Sequence, residues 1–148
     1  MIGSPLFRGM ALLAGLAGCA LEARGPVALD TRNERCGFCQ MAVSDARTAG
    51  QIVAPGEEPV FFDDLGCLAS YLAARKMPRG AVAYVADHRT KAWVEAATAV
   101  YARLEDLDTP MASHLVAHAD AASRQADLSA RGGVAVAWEE LLAKRGER

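Results

Sequence analysis

Along this chain apolar and polar positions follow each other in short patterns that keep changing period, and one stretch near the start holds a longer apolar run. That run is Gly9 to Gly18, preceded by a single positive charge at Arg8. A bilayer span takes about 20 apolar residues, so the run is too short to cross a membrane. It has the form of a secretory signal. Ala20 to Glu34 shows no periodicity and contains Gly25-Pro26, which predicts a flexible tether. Cys36 to Ile52 is short and mixed, predicting two strands joined around Ala46 to Gly50. Pro55-Gly56-Glu57-Glu58-Pro59 reads as a turn, and Val60-Phe61-Phe62 as a short apolar strand. Asp63 or Asp64 is then placed to N-cap a helix reaching about Lys76, with Leu65, Leu68 and Leu72 on one face. Pro78 and Gly80 stop it.

The second half repeats the theme. Ala81 to Ala86 predicts a buried strand, Asp87 to Thr90 a turn, and Trp93 to Ala96 and Val100 to Leu104 further strands. Thr109-Pro110 biases the backbone to an extended or turn conformation before Met111. His114 to His118 suggests a strand, Asp120 a cap, and Ala121 to Arg131 a helix closed by Gly132-Gly133. Val134 to Trp138 and Glu139 to Lys144 give a last strand and a short helix. The order strand, strand, helix, strand therefore occurs twice, with Met41 in the first copy and Met111 in the second. An α+β fold of two small ββαβ-type lobes is expected, with functional residues near their interface. The expected organisation is signal peptide 1–18, tether 19–34, first lobe 35–90 and second lobe with its terminal helix 91–148.

The compartment changes the chemistry to be expected. Leu16-Ala17-Gly18-Cys19 fits a lipobox, so the lipoprotein signal peptidase would leave Cys19 as a lipidated N-terminus carrying thioether-linked lipid and an acylated amine. Several acyl chains on one residue anchor a protein stably. An ordinary signal that happens to contain a cysteine is the plainer alternative. Ala20, where a retention aspartate would otherwise stand, points to the outer membrane, facing the periplasm. The formal charge of the chain is -2, and no basic stripe is interleaved with aromatics, which excludes nucleic acid as the expected partner. Of four cysteines, Cys36, Cys39 and Cys67 remain after lipidation. In an oxidising compartment an odd number leaves one thiol unpaired or asks for a metal.

Candidate chemistry concentrates in Cys36-Gly37-Phe38-Cys39-Gln40-Met41. Two thiols and a thioether are soft donors, which select Cu(I) in two- or three-sulfur coordination; zinc prefers four N/S ligands without thioether. On a strand Cys39 and Met41 would share a face. A further donor must come from elsewhere, and Met111 after the stiff Thr109-Pro110 step is best placed. His114 is an optional nitrogen donor, three residues beyond Met111. Plainer readings stand beside these. Cys36 and Cys39 could form a small disulfide. Cys67, with leucines around it, reads as an inert core thiol, and His88 and His118 as solvated or capping residues. Asp63 and Asp64 are a carboxylate pair with no nucleophile beside them, so no hydrolase constellation emerges. A rival from another class is a thiol-disulfide oxidoreductase using Cys36 and Cys39, with Pro110 as a cis-proline facing them. That site needs a long helix after the cysteines, and Met41 to Gly50 does not read as one.

Taken in order, Cys-x-x-Cys-x-Met, Phe62-Asp63-Asp64 opening a helix with Cys67, Val85-x-Asp87 before Trp93, Ala99-x-Tyr101, Thr109-Pro110-Met111 and Gly132-Gly133 resemble the nitrous oxide reductase accessory lipoprotein family, NosL. The resemblance covers the lipobox and nearly all of the mature chain. It implies two homologous ββαβ-type lobes, no catalysis, and a Cu(I) ion delivered to nitrous oxide reductase or its membrane-bound assembly machinery. It also implies that Cys39, Met41 and Met111 ligate copper; Cys36, like His114, stays an optional further donor read from the residues alone. The family usually carries Gly where this chain has Gln40, which leaves room for a divergent branch serving another exported copper enzyme.

Overall fold

The computed structural model describes residues 25–143. The expected signal peptide, the expected lipobox with Cys19, the first part of the expected tether and residues 144–148 lie outside the described residues. Two small antiparallel sheets and three helices make an α+β fold. The first sheet starts with β1 (Gly50–Val53), all four of whose residues are buried. Its central place explains this: β2 (Val60–Phe62) flanks it on one side and β3 (Val82–Ala86) on the other, both antiparallel. β4 (Trp93–Glu95) pairs with β3 and completes the order β2-β1-β3-β4. The second sheet has β5 (Val100–Arg103) in the middle, with β6 (Leu115–His118) and β7 (Val134–Val136) antiparallel on either side.

The helix α1 (Leu65–Ala74) begins where Asp64, in extended conformation, accepts the Gly66 N–H at 2.6 Å. This satisfies one of the donors that every helix start leaves open. α1 lies across the first sheet, and Gly50 allows the close approach. A Cβ there would stand 2.9 Å from Leu68 Cδ2. α2 (Ala121–Ala126) is capped by Asp120, and α3 (Trp138–Ala143) returns to pack on α1. The lobes share one core. Phe62, Leu65, Leu68 and Val85 of the first bury against Tyr101, Leu115 and Leu141 of the second. At about 1.5–3 kcal/mol per fully buried large apolar side chain, this common core welds the lobes into one unit.

The repeated order of elements is present, and the first strand of each copy is the central one in its sheet. Several expectations are corrected. Trp93–Glu95 belongs to the first sheet, so a boundary at residue 90 falls inside the β3–β4 hairpin. Cys36 to Ile52 does not form two strands. It has a narrow hairpin closed by an Arg35–Ala42 bridge, then a loop into β1. The second helix stops at Ala126, and only a 3-10 turn over Leu128–Ala130 follows. The helix break coincides with Asp127, whose carboxylate turns to other partners. The last part of the expected tether is held down. The Gln51 amide, fully buried, donates to the Val27 carbonyl and accepts its N–H at 3.0 and 2.8 Å. Leu29 packs beside Val43 and Phe61.

Candidate metal centre

The hairpin that carries the sulfur motif is built by its own backbone. Cys36 N–H donates to the Met41 carbonyl at 2.8 Å, and Gln40 N–H to the Cys36 carbonyl at 3.0 Å. Closing so tight a loop puts Gln40 at φ +66°, in the left-handed region where a side chain is strained. That is why a glycine suits this position. Gly37 N–H bonds the Phe61 carbonyl at 2.8 Å, laying the loop on β2, and a Cβ at Gly37 would collide with the Val60 side chain. Cys39 and Met41 are therefore on a turn and not on a strand, and period-two alternation is not what relates them.

Folding this loop onto β2 and the start of α1 assembles four donors. One ligand atom each from Cys36, Cys39, Asp63 and Cys67 lie within 4.8 Å of one another. Cys36, Asp63 and Cys67 are buried and Cys39 is half-buried. The Cys39 thiol faces both Asp63 carboxylate oxygens at 3.6 and 3.7 Å. Burial pushes the Asp63 carboxyl up to about 6, and the neighbouring Cys36 adds to the rise. The Cys67 thiol beside Cys36 holds Cys36 well below the ordinary thiol range, helped by N–H groups of its own loop. Cys67 moves the opposite way, since one proton serves the pair. Burial raises Cys39. The three thiols are free, so the Cys36–Cys39 disulfide is not formed.

The Met41 and Met111 side chains are exposed, at 56% and 43%. Met111 comes from the second lobe and is brought to this place by Asp64. The carboxylate that caps α1 through one oxygen accepts the Met111 N–H at 3.1 Å through the other. Met111, Phe38, Cys67 and Ser70 line a small cavity of about 80 Å³ beside the thiols. Ala112 and His114 take φ +51° and +58°, so the Met111 loop, like the cysteine loop, is held in a costly backbone conformation. His114 is tied into its own loop, with Nδ1 on the Leu107 carbonyl at 2.9 Å. The Thr109–Pro110 bond is trans, which removes the resemblance to a cis-proline facing the cysteines.

Sequence reasoning missed Asp63 and Cys67 as members of this cluster. Cys67 is not isolated in the core; it stands in the first turn of α1 against Cys36. The order Asp63-Asp64-x-x-Cys67 was visible, but its meeting with Cys36 depends on β2 carrying both. His88 and His118 are also corrected, being 3% and 0% exposed. His88 Nδ1 and His118 Nε2 both reach Asp127 Oδ2, at 2.7 and 2.9 Å. His88 N–H also bonds the Ala117 carbonyl at 2.8 Å, so this triad joins the two lobes.

Three thiols and a carboxylate whose donor atoms converge within 4.8 Å on an α+β frame form a potential metal site. The matching family model, NosL, covers residues 26–144, and the chain belongs to the NosL family, a family of copper-linked accessory proteins. No curated protein matches the chain.

Proposed function

We propose that this protein is a lipid-anchored Cu(I) metallochaperone that faces the periplasm and supplies copper to nitrous oxide reductase or a related exported copper enzyme. The observation that carries this reading is the position of Cys39. Its thiol is half-buried at the edge of the donor cluster and two residues from exposed Met41, and its neighbour Phe38 lines one cavity with Cys67 and Met111. A thiolate provides most of the affinity for Cu(I), and thioethers favour the +1 ion over the +2 ion. A recipient that presents its own sulfurs can approach the exposed methionines and take the ion by ligand exchange, one sulfur replacing another. No electron is transferred and no bond other than metal–ligand is made or broken.

Anaerobic titration of the reduced mature chain with Cu(I), against a chromophoric chelator, tests the reading. One tightly held ion is expected, and Cys39→Ser should weaken it at least a hundredfold. If wild type fails to compete with the chelator while Cys36 and Cys39 turn over readily as a disulfide, the protein is an oxidoreductase. Delivery is tested by incubating the loaded chain with copper-free nitrous oxide reductase and following the enzyme's copper content. The anchor is tested in cells: Cys19→Ser should move the protein from the outer-membrane fraction to the soluble one.

A further inference from the structure

We propose that Cys36, Cys39 and Cys67 form an inner, three-thiolate Cu(I) position that shares Cys39 with the exposed Cys39/Met41/Met111 position, so that one ion rests inside and moves outward for delivery. This rests on the copper reading above and adds a second station to it. Soft sulfur donors suit Cu(I), and here three thiols converge within 4.8 Å, two of them buried. A buried three-thiolate site carries net negative charge, which needs a counterpart. Cys67 lies in the first turn of α1, whose ten residues turn the positive end of their dipole toward the cluster. Asp63 is the fourth neighbour, and a carboxylate oxygen is a hard donor that Cu(I) does not favour. Its place is as acceptor for the Cys39 S–H until the ion displaces that proton.

The route between the stations is also present. The cavity lined by Phe38, Cys67, Ser70 and Met111 touches the inner cluster at Cys67 and the surface at Met111. An ion leaving Cys36 can gain the Met111 thioether while Cys39 still holds it, so every intermediate keeps at least two sulfurs. The thiols that bind release their protons to solvent, Cys36 and Cys67 each take a proton back from solvent as the ion departs, and copper stays in the +1 state throughout. The inner station retains the ion against small competing thiols, and the outer one is where a protein partner reaches it.

The two stations are separated by variants that remove one and spare the other. In Met111→Leu and in Met41→Leu/Met111→Leu, Cu(I) affinity should stay within about threefold of wild type while transfer to a sulfur chelator slows at least tenfold. Cys67→Ser should retain one ion on the outer sulfurs at least tenfold more weakly. X-ray absorption should show three short copper–sulfur bonds in wild type that persist in the double methionine variant. Because Cys67 is in the core, its substitution is paired with a measurement on unaltered protein: stoichiometric Hg(II) should give the charge-transfer spectrum of a three-thiolate complex. A tenfold or greater loss of affinity in Met111→Leu, with Cys67→Ser binding like wild type, would overturn the inner station and leave the chaperone reading intact. So would a Cys36–Cys67 disulfide that persists in copper-loaded protein, or Zn(II) that holds the thiols against equimolar Cu(I). Failure of wild type to bind Cu(I) at all removes both readings.

Discussion

Cys39 and its neighbour Gln40 show how much a single residue is made to do here. Cys39 belongs to the buried thiols by contact and to exposed Met41 by chain position, and Gln40 bends the backbone between them. The left-handed conformation costs a side-chain-bearing residue about 1–2 kcal/mol, partly offset by the extra entropy a glycine loses on folding. Gln40→Gly should therefore stabilise the copper-free protein by about 0.5–1 kcal/mol, read from urea denaturation. A loss of stability instead would mean that the Gln40 side chain makes contacts that outweigh its strain. At Gly37 the reverse holds. Gly37→Ala drives a methyl into Val60 and lifts the loop off β2, so Cu(I) affinity should fall tenfold or more with the protein still folded by circular dichroism.

Among elements, α1 with its cap is the joint between the two halves of the candidate site. Asp64 caps the helix and holds Met111 N–H with the same carboxylate, whereas Asp120 caps α2 by accepting Ser123 N–H at 2.7 Å. Loss of an ordinary cap costs about 1 kcal/mol, and loss of a hydrogen bond to a charged group adds about 1.5–3 kcal/mol. Asp64→Ala is therefore expected to destabilise by about 2–4 kcal/mol and Asp120→Ala by about 1 kcal/mol, compared by urea midpoints at equal slopes. Equal effects of the two would show that the Met111 contact contributes nothing. The cap itself was legible in the sequence, as Asp63 or Asp64 before a leucine-faced helix. Its grip on a loop 47 residues away was not, because no local pattern encodes it.

The molecule as a whole is held together by its shared core and by the buried joint of His88, His118 and Asp127. Burial opposes ionisation of Asp127, but the Ser129 hydroxyl and both imidazoles outweigh it and hold the carboxyl below the ordinary range. Asp87 behaves alike. Burial raises it, yet the Ser123 hydroxyl and the Ala119 and Thr90 N–H groups bring it down to about 2. Folded values below the ordinary 3.8 give stability that is fully present above that value and is lost as pH falls through the depressed ones. The contribution of these two carboxyls should drop steeply below about pH 4, with Asp127→Asn flattening part of that slope. His118→Ala leaves Asp127 short of a buried partner and should cost about 3–5 kcal/mol, both lobes melting in one transition. Two separated transitions would show that the lobes fold independently.

What the sequence by itself determined is what local chemistry determines. Apolar periodicity placed α1 and most strands to within a few residues, the doubled element order predicted two ββαβ-type lobes, and the density of sulfur in Cys36 to Met41 pointed to a soft metal. The tertiary structure decided which residues meet. It moved β4 into the first sheet by pairing it with β3, turned Cys67 from a core thiol into a neighbour of Cys36, added Asp63 to the cluster and buried two histidines on one aspartate. The physical reason is the same in each case. Side-chain spacing along a helix or strand is set by a fixed geometric period, whereas contact between distant segments depends on strand order and on the angle at which two sheets bury one core.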